Sequence, residues 1–171
     1  KETKESKVIS MGNRNVQGLK FIRDMNIIIS TEHGPYGGDE INIQSDIDSL
    51  YNFGWPISSY GEHYSPRNGF GEHSKGKKEE IVKVLENAPL HKNYSEFGFI
   101  EPFKFFVPSI GISEIDYLNT DDQTFLLATS MGNDIKEGDM SIHIIDINKK
   151  EDHNIIAFNN RIRDIIKIDG T

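Results

Sequence analysis

Short apolar runs separated by turn residues are the feature that most limits what this chain can fold into. Each run is rich in Ile, Val and Phe and ends at a cluster of Gly, Pro, Asn, Asp or Ser. Runs of this length and spacing favour antiparallel strands over helices. The sequence therefore predicts an all-β fold, with strands at 19–22, 26–30, 40–43, 102–107, 124–129, 140–147, 155–158 and 162–168.

One segment departs from this pattern. Residues 77–87 place their apolar side chains close to one helical face and Pro89 follows them, which predicts one short inserted helix. The Gly-rich aromatic stretch before it, residues 60–73, is long for a loop inside a compact domain. Elsewhere strand, loop and strand alternate at short intervals, as the blades of a β-propeller require.

Composition narrows the classes of function. The chain has 171 residues and a formal net charge of −8, with acids spread along its length, which argues against nucleic acid or an anionic membrane as its main partner. Cysteine is absent, which excludes disulfides, thiolate zinc sites and a cysteine nucleophile. No apolar run approaches the roughly 20 residues that a membrane span needs.

The loop Gly34-Pro35-Tyr36-Gly37-Gly38-Asp39-Glu40 suits a hard cation. A Gly-Pro turn can direct successive carbonyl oxygens inward, and Ca²⁺ takes six to eight oxygen ligands, main-chain carbonyls among them. The two carboxylates that follow add further oxygens. Alternatively, Asp39 and Glu40 make only the hydrogen bonds of a turn and a strand entry.

Two arginine motifs flank this loop in the sequence. Arg161 and Arg163 are two residues apart in a strand-like run, so their guanidinium groups leave one face about 7 Å apart and suit a polycarboxylate. Alternatively, both are exposed and pair with Asp164 or Asp152. Arg14 and Asn15 offer a fixed cation beside an amide, or else form an ordinary capped and solvated loop.

In this order the motifs resemble the soluble glucose and aldose sugar dehydrogenases that use pyrroloquinoline quinone, a family of six-bladed β-propellers. The resemblance covers nearly the whole chain outside the insertion near residues 65–97. It implies that residues 1–171 are a single region, a propeller fragment truncated at both ends, whose four-stranded antiparallel blades form an open arc. It also implies a small sugar substrate and a periplasmic or secreted location. The matching phrases are 13–19, 30–42, 52–56, 106–113 and 161–164.

The resemblance also implies how the candidate residues act. The carbonyls of Gly34 and Pro35 would bind the calcium that polarises the quinone, and Glu40 would reach a second, structural calcium. The positions that match the family's contacts to pyrroloquinoline quinone are Arg14, Asn15, Ser109, Arg161 and Arg163.

Two departures from the family's pattern bear on activity. The family's catalytic histidine lies on an earlier blade, so no catalytic residue is assigned here, and His33 belongs to the phrase that precedes Gly34. The lysine expected after the strand at 124–129 is replaced by Gly132, with Lys136 as the nearest substitute. A non-catalytic propeller module that binds a ligand or a protein is therefore the alternative function. Unpaired strand edges of an open arc also predict edge association or a homodimer.

Overall fold

Two four-stranded antiparallel sheets dominate the part of the chain that the structure describes. In this computed structural model the described residues are 6–63 and 87–168. A short parallel pair, β1 (Ser10–Met11) and β5 (Tyr51–Asn52), lies outside the two sheets. The first sheet has the order β2 (Val16–Ile22), β3 (Ile27–Glu32), β4 (Asp39–Gln44) and β6 (Lys104–Phe106). The second has the order β7 (Ile112–Asn119), β8 (Thr124–Ser130), β9 (Ser141–Asp146) and β10 (Asp152–Ala157).

Apart from Asn87, helical structure in the described residues consists of single turns. Three-residue 3-10 helices occur at Arg23–Met25, Ser95–Phe97 and Ile135–Glu137, each followed by a residue with a left-handed backbone. The predicted helix at 77–87 lies outside the described residues apart from Asn87. Within residues 6–63 and 87–168, no helix is long and apolar enough to cross a membrane.

The two sheets pack face to face, with the first strand of each, β2 and β7, in contact. Side chains alternate along each strand, so one set of isoleucines from β2, β3 and β4 meets one set of aliphatic residues from β7, β8 and β9. Each fully buried aliphatic side chain stabilises the fold by roughly 1.5–3 kcal/mol. The residues of this shared core include Ile22, Ile29, Ile41, Ile112, Ile115, Leu126 and Ile145.

A close approach between β2 and β7 fixes how the sheets meet. A side-chain carbon at Gly18 would lie 2.8 Å from the backbone nitrogen of Ile115, so only glycine fits there. The amide of Gly18 donates to Thr31 Oγ1 at 2.9 Å, and Thr31 in turn donates to the carbonyl of Ser113 at 2.5 Å. This seam brings the turn after β3 beside the segment that enters β7.

The predicted all-β fold is confirmed, and the predicted strands up to residue 158 correspond to observed ones within a few residues. The predicted strand at 162–168 is wrong, because these residues form no strand. Within the described chain, no neighbouring strand pairs with them, and a strand requires such a partner. The longest strand, β7, was missed because Glu114 and Asp116 interrupt its apolar pattern.

Candidate functional site

A tight turn between β3 and β4 carries Gly34 and Pro35. A side-chain carbon at Gly34 would lie 2.2 Å from the carbonyl oxygen of Gly38, so the turn can close only around glycine. Tyr36 exchanges two backbone hydrogen bonds with Glu62, at 2.8 and 2.7 Å. Among the described residues, no donor reaches the carbonyl oxygens of Gly34 or Pro35.

Asp39 joins this turn to the second sheet. Its side chain is only 2% exposed and accepts three hydrogen bonds: from Gly34 N at 3.1 Å, Ser109 Oγ at 2.9 Å and Ile112 N at 2.9 Å. Hydrogen bonds to an ionised carboxylate are among the stronger ones in proteins. Asp39 thereby holds the predicted calcium turn next to Ser109, although the two lie far apart in the sequence.

Arg14 lies against the same turn. Its Nη1 donates to the carbonyl of His33 at 2.9 Å, and its guanidinium carbon lies 5.2 Å from the centre of the Trp55 ring. The carbonyl of Asn15 accepts from His33 N at 3.0 Å, while the Asn15 side chain is exposed and accepts from Gln17. Arg14 is thus held by a carbonyl and an aromatic face, unlike the solvated loop that was the alternative.

Two buried carboxyl groups, Glu32 and Glu40, stand directly opposite each other on β3 and β4. They lie on the face of the first sheet that is turned away from the core. Asn42 Nδ2 donates to Glu32 at 2.7 Å, and Tyr94 donates to Glu40 at 2.5 Å. The pKa of Glu40 is raised to about 8, mainly by burial; the hydrogen bond from Tyr94 opposes this change and the nearby Glu32 adds to it. Burial likewise raises the pKa of Glu32.

The donor set around Glu40 fits a hard cation. Buried carboxylates whose pKa values are raised by desolvation gain most from a bound positive charge. The side-chain oxygen of Asn42 is also buried and has no hydrogen-bond partner. Within the described residues no cluster of three or more His, Cys, Asp or Glu side chains forms. A cation here would therefore need amide or main-chain oxygens as well as the carboxylates, which Ca²⁺ accepts.

Three of the predicted site residues line one small cavity. Arg14, Gly34 and Glu40 surround a space of about 10 Å³ together with Glu32 and Trp55. That volume is roughly what a single water molecule occupies. The structure therefore brings together Arg14, which was predicted to contact the cofactor, and Gly34 and Glu40, which were predicted to bind calcium.

Arg161 and Arg163 lie elsewhere, beside the second sheet. Both are exposed, and the half-buried Ile162 between them donates to the carbonyl of Ser130 at 3.2 Å. Arg163 Nη1 lies 3.4 Å from the sulfur of Met131. In the described chain, neither arginine contacts the turn at Gly34 or the loop at Arg14. Asp152, their alternative partner, is instead paired with Lys104 at 3.1 Å and His143 at 3.3 Å.

Gly132, the position at which the resemblance predicts a lysine, faces a buried carboxyl group. A side-chain carbon at this position would lie 2.0 Å from Asp139 Oδ2, so a lysine cannot be accommodated unless Asp139 moves. Asp139 accepts from the backbone of Asp134 at 2.6 Å, and its other oxygen is buried without a hydrogen-bond partner. Lys136 lies on the exposed Ile135–Glu137 turn.

A groove of about 530 Å³ opens next to the calcium turn. Its lining combines two prolines, exposed apolar side chains and two carboxylates. It includes Ser109 and Pro35, so it adjoins the predicted cofactor contacts. The other lining residues are Tyr36, Gly37, Glu62, Val107, Pro108 and Glu137.

Sequence reasoning missed Glu32 and Asp139, which it did not single out. It considered Asp39 as a further oxygen for a cation or for local turn hydrogen bonds, but not as a link to Ser109. The position of Asp39 directly after a Gly-Gly pair, at the start of a strand, could have indicated its contacts with backbone amides, because a short acidic side chain reaches nearby N–H groups. No local signal could have shown that Ser109 would meet Asp39, because that contact depends on how the two sheets pack.

Comparison with known proteins gives a family match over the whole site. The model of the glucose/sorbosone dehydrogenase family matches residues 1–170. An uncharacterised protein of Synechocystis is 26% identical over 159 residues, which are 92% of this chain and 33% of that protein. The aldose sugar dehydrogenase of Escherichia coli is 42% identical over 60 residues, which are 35% of this chain and 15% of that enzyme.

Solved structures agree on the fold. A crystal structure of a glucose dehydrogenase superposes with a TM-score of 0.59 at 24% identity, covering 91% of this chain and 39% of the other. The apo-form of the soluble aldose sugar dehydrogenase of Escherichia coli gives a TM-score of 0.60 at 24% identity, covering 86% and 36%. This chain therefore spans about a third of the length of these relatives. The predicted open arc of antiparallel propeller blades is confirmed, with two four-stranded blades in the described residues.

Proposed function

This chain belongs to the glucose/sorbosone dehydrogenase family, and on that premise we propose that it forms the cofactor-binding part of an aldose sugar dehydrogenase that uses pyrroloquinoline quinone and calcium. When bound, the quinone would supply the two-electron acceptor for oxidation of the sugar. The observation that carries the proposal is the set of three hydrogen bonds that Asp39 accepts, because they hold the Gly34–Pro35 turn beside Ser109.

The first proposed calcium ion would be bound by backbone carbonyl oxygens. Gly34 and Pro35 offer carbonyls that no described donor engages, in a turn too tight to rearrange freely. Glu40 would hold a second, structural cation, helped by Glu32 and the unpartnered oxygen of Asn42. A divalent ion at Glu40 would offset the desolvation that keeps this carboxyl group protonated near neutral pH.

The cofactor contacts of the proposal divide into two groups. Arg14 and Asn15 approach from the first sheet, and Arg161 and Arg163 from the segment after the second sheet. Arginine forks suit the carboxylates of pyrroloquinoline quinone, because they keep their charge and bind bidentately. The hydroxyl group of Ser109 donates a hydrogen bond to Asp39 at 2.9 Å. As long as this hydrogen bond is kept, Ser109 Oγ could only accept a hydrogen bond from the cofactor.

A non-catalytic binding module is the second candidate, and the environment of Gly132 favours it. The buried carboxyl group of Asp139 lies directly beside Gly132, the position at which the resemblance predicts a lysine. A negative group there would weaken the hold on a polycarboxylate. On this alternative the groove and the turn would bind a ligand or a protein without redox chemistry.

One experiment separates the candidates. The full-length protein is loaded with pyrroloquinoline quinone and CaCl₂, and reduction of a dye is followed with and without an aldose such as glucose. Sugar-dependent reduction that disappears with chelator supports the dehydrogenase. Failure of the cofactor to bind, measured by titration of its absorbance, contradicts the dehydrogenase and leaves the binding module. A periplasmic or secreted location belongs to the same proposal and is checked by cell fractionation.

A further inference from the structure

We propose that Met131 is a site of reversible oxidation by peroxide, and that its sulfoxide form holds the guanidinium group of Arg163. The sulfur of Met131 lies 3.4 Å from Arg163 Nη1, a distance that suits an N–H donor on a thioether. Oxidation would replace this weak acceptor by a strongly polar oxygen beside a permanent positive charge. The effect on the cofactor rests on the proposed function, whereas the modification itself does not.

Two segments that lie side by side present the pair. Met131 directly follows β8, and Arg163 directly follows Ile162. The amide of Ile162 donates to the carbonyl of Ser130 at 3.2 Å. The carbonyl of Ile162 accepts from Ser113 Oγ at 2.5 Å. These bonds hold the chain neighbours of both side chains together, so the contact between sulfur and guanidinium follows from the backbone.

Arg163 has donors to spare for a better acceptor. It is exposed and, among the residues that the structure describes, it forms no ion pair. A guanidinium group carries five N–H donors, and a thioether sulfur accepts only weakly. A hydrogen bond from a charged donor to a polar oxygen is among the stronger ones in proteins. The sulfoxide would therefore restrain a side chain that the thioether leaves mobile.

The oxidant of the proposed step is hydrogen peroxide. A lone pair of the sulfur attacks one peroxide oxygen, so the S–O bond forms while the O–O bond breaks and hydroxide leaves. That hydroxide takes the proton from the oxygen on sulfur, which gives the sulfoxide and one water. The sulfur loses two electrons and the peroxide gains them. An N–H of Arg163 beside the sulfur can donate to the leaving oxygen, and donors placed where charge develops lower a barrier.

The other methionines make this argument testable. Met11 and Met25 are 49% and 42% exposed, whereas Met131 is half-buried. In the described part of the chain, neither the sulfur of Met11 nor that of Met25 has a hydrogen-bond donor. Exposure alone predicts that these two are oxidised before Met131, and the neighbouring guanidinium predicts the reverse order.

The first test follows oxidation of the full-length protein by limiting hydrogen peroxide, with peptide mass spectrometry at intervals. Met131 should be oxidised at least about threefold faster than Met11 or Met25. Arg163→Gln should remove this advantage. Arg161→Gln is the matched control, because Arg161 is also exposed but does not contact Met131, and it should keep the advantage. Oxidation of Met131 after the two exposed methionines, or an unchanged rate in Arg163→Gln, would overturn the proposal.

The second test asks whether the sulfoxide holds Arg163. After oxidation, Arg163 should react with phenylglyoxal at least about fivefold more slowly, because a polar acceptor engages its donors. Met131→Leu, which cannot be oxidised, should abolish this protection, whereas Met25→Leu should keep it. Methionine sulfoxide reductases should restore the reactivity of Arg163. Unchanged reactivity of Arg163 once Met131 is fully oxidised would contradict the proposal.

The third test measures the consequence for the candidate site. An arginine held by the sulfoxide is less available to a polycarboxylate, so oxidation should weaken binding of pyrroloquinoline quinone at least about fivefold in the full-length protein. Met131→Leu should show no such loss, and an unchanged affinity in the oxidised unsubstituted protein would exclude this regulation. If neither form binds the cofactor while peroxide still protects Arg163, the modification site stands and the dehydrogenase does not.

Discussion

At the scale of single residues, Asp39 holds the Gly34–Pro35 turn next to Ser109. Three donors converge on one buried carboxylate, and two of them come from the segment that enters the second sheet. A carboxylate can accept all three because both of its oxygens are acceptors with more than one lone pair each. Asp39, at the junction of the two sheets, thus fixes the positions of the Gly34 turn and of Ser109 relative to each other.

Asp39→Asn should loosen this junction. The amide group of asparagine carries two N–H donors, so at least one would face another donor and leave it unpaired. Leaving one buried donor unsatisfied costs roughly 1–3 kcal/mol. We expect the free energy of unfolding to fall by about that amount in urea titrations, with weaker calcium binding in the full-length protein. Asp122→Asn, on an exposed loop, is the control and should leave both unchanged.

The buried pair Glu32 and Glu40 predicts an unusual pH dependence in the presence of chelator. Burial raises the pKa of Glu40 from 4.5 to about 8, so the folded state holds this proton more tightly than the unfolded state does. The stabilisation is therefore complete below about pH 4.5 and is lost as the pH rises through about 8, by at most about 1.4 kcal/mol per pH unit.

Urea unfolding at intervals from pH 5 to pH 9 measures this loss. Glu40→Gln, which cannot titrate, should flatten the slope, and CaCl₂ added at pH 8 should restore stability to the unsubstituted protein. Stability that rises between pH 5 and pH 8 in chelator would contradict the assignment. So would an unchanged slope in Glu40→Gln.

At the scale of elements, the seam between β2 and β7 transmits the sheet packing to the site. Gly18 lets the two strands approach, Thr31 bridges them, and Ser113 receives that bridge. The turn at Gly34 follows β3 within a few residues, and Asp39 begins β4. The residues of the candidate site therefore lie at the ends of the strands, while the residues in the middle of the strands form the core.

Gly18→Ala should separate the strands. The added methyl group would meet the backbone of Ile115 at 2.8 Å, and backbone cannot move aside as a flexible side chain can. Such overpacking costs typically 1–3 kcal/mol. We expect a loss of this size in the free energy of unfolding, together with weaker calcium binding. Gln17→Ala, at the exposed neighbouring position, should cost far less.

The sequence predicted elements well where apolar side chains alternate or cluster, as in β3 and β9. It failed at β7, where Asp116 is buried against Lys20 at 3.0 Å across the two sheets, because local periodicity cannot show that a charge has a distant partner. It failed again at 162–168, because an apolar run becomes a strand only when a neighbour pairs with it.

The same limit applied to the site. Gly34, Pro35 and Arg14 could be chosen as candidates because each lies within a contiguous motif, whereas the hydrogen bond between Ser109 and Asp39 joins residues 70 positions apart. The convergence of Arg161 and Arg163 on these groups stays a prediction.

At the scale of the whole molecule, the two-bladed arc leaves apolar side chains exposed at both ends. Leu19 is 67% exposed at one end, and Ile166 and Ile168 are 74% and 72% exposed beyond the other. Since the chain spans about a third of its relatives' length, further blades would cover these faces in a complete ring. The association predicted from the sequence would instead use unpaired strand edges, and it stays a prediction.

In the full-length protein, the double substitution Arg161→Ala and Arg163→Ala should weaken binding of pyrroloquinoline quinone by at least a hundredfold. Each charged contact to a carboxylate contributes roughly 1.5–3 kcal/mol, and both would be lost. Titration of the cofactor into both proteins measures the change. Arg23→Ala, an exposed arginine on the 3-10 turn after β2, is the control. Equal affinities would remove both arginines from the proposed cofactor site.

The last prediction concerns the 171-residue chain by itself. It should not oxidise glucose or another aldose, even with pyrroloquinoline quinone and calcium added, because the resemblance implies that the family's catalytic histidine lies on an earlier blade. Losing acid–base catalysis alone typically costs 10² to 10⁴-fold in rate. An open arc also admits water to a site whose electrostatic stabilisation depends on fixed, water-excluded dipoles.

Dye reduction by the purified chain, compared with the full-length protein at equal cofactor concentration, measures this directly. Size-exclusion chromatography run alongside separates monomers from edge-associated assemblies. Turnover by the monomeric chain would mean that a group within these residues acts as the catalytic base. If that base were His33, its Nε2 would have to break its 2.5 Å contact with the carbonyl oxygen of Ile112. Absence of turnover together with calcium binding at the Gly34 turn would assign the chain the role of a cofactor cradle that needs the remaining blades for chemistry.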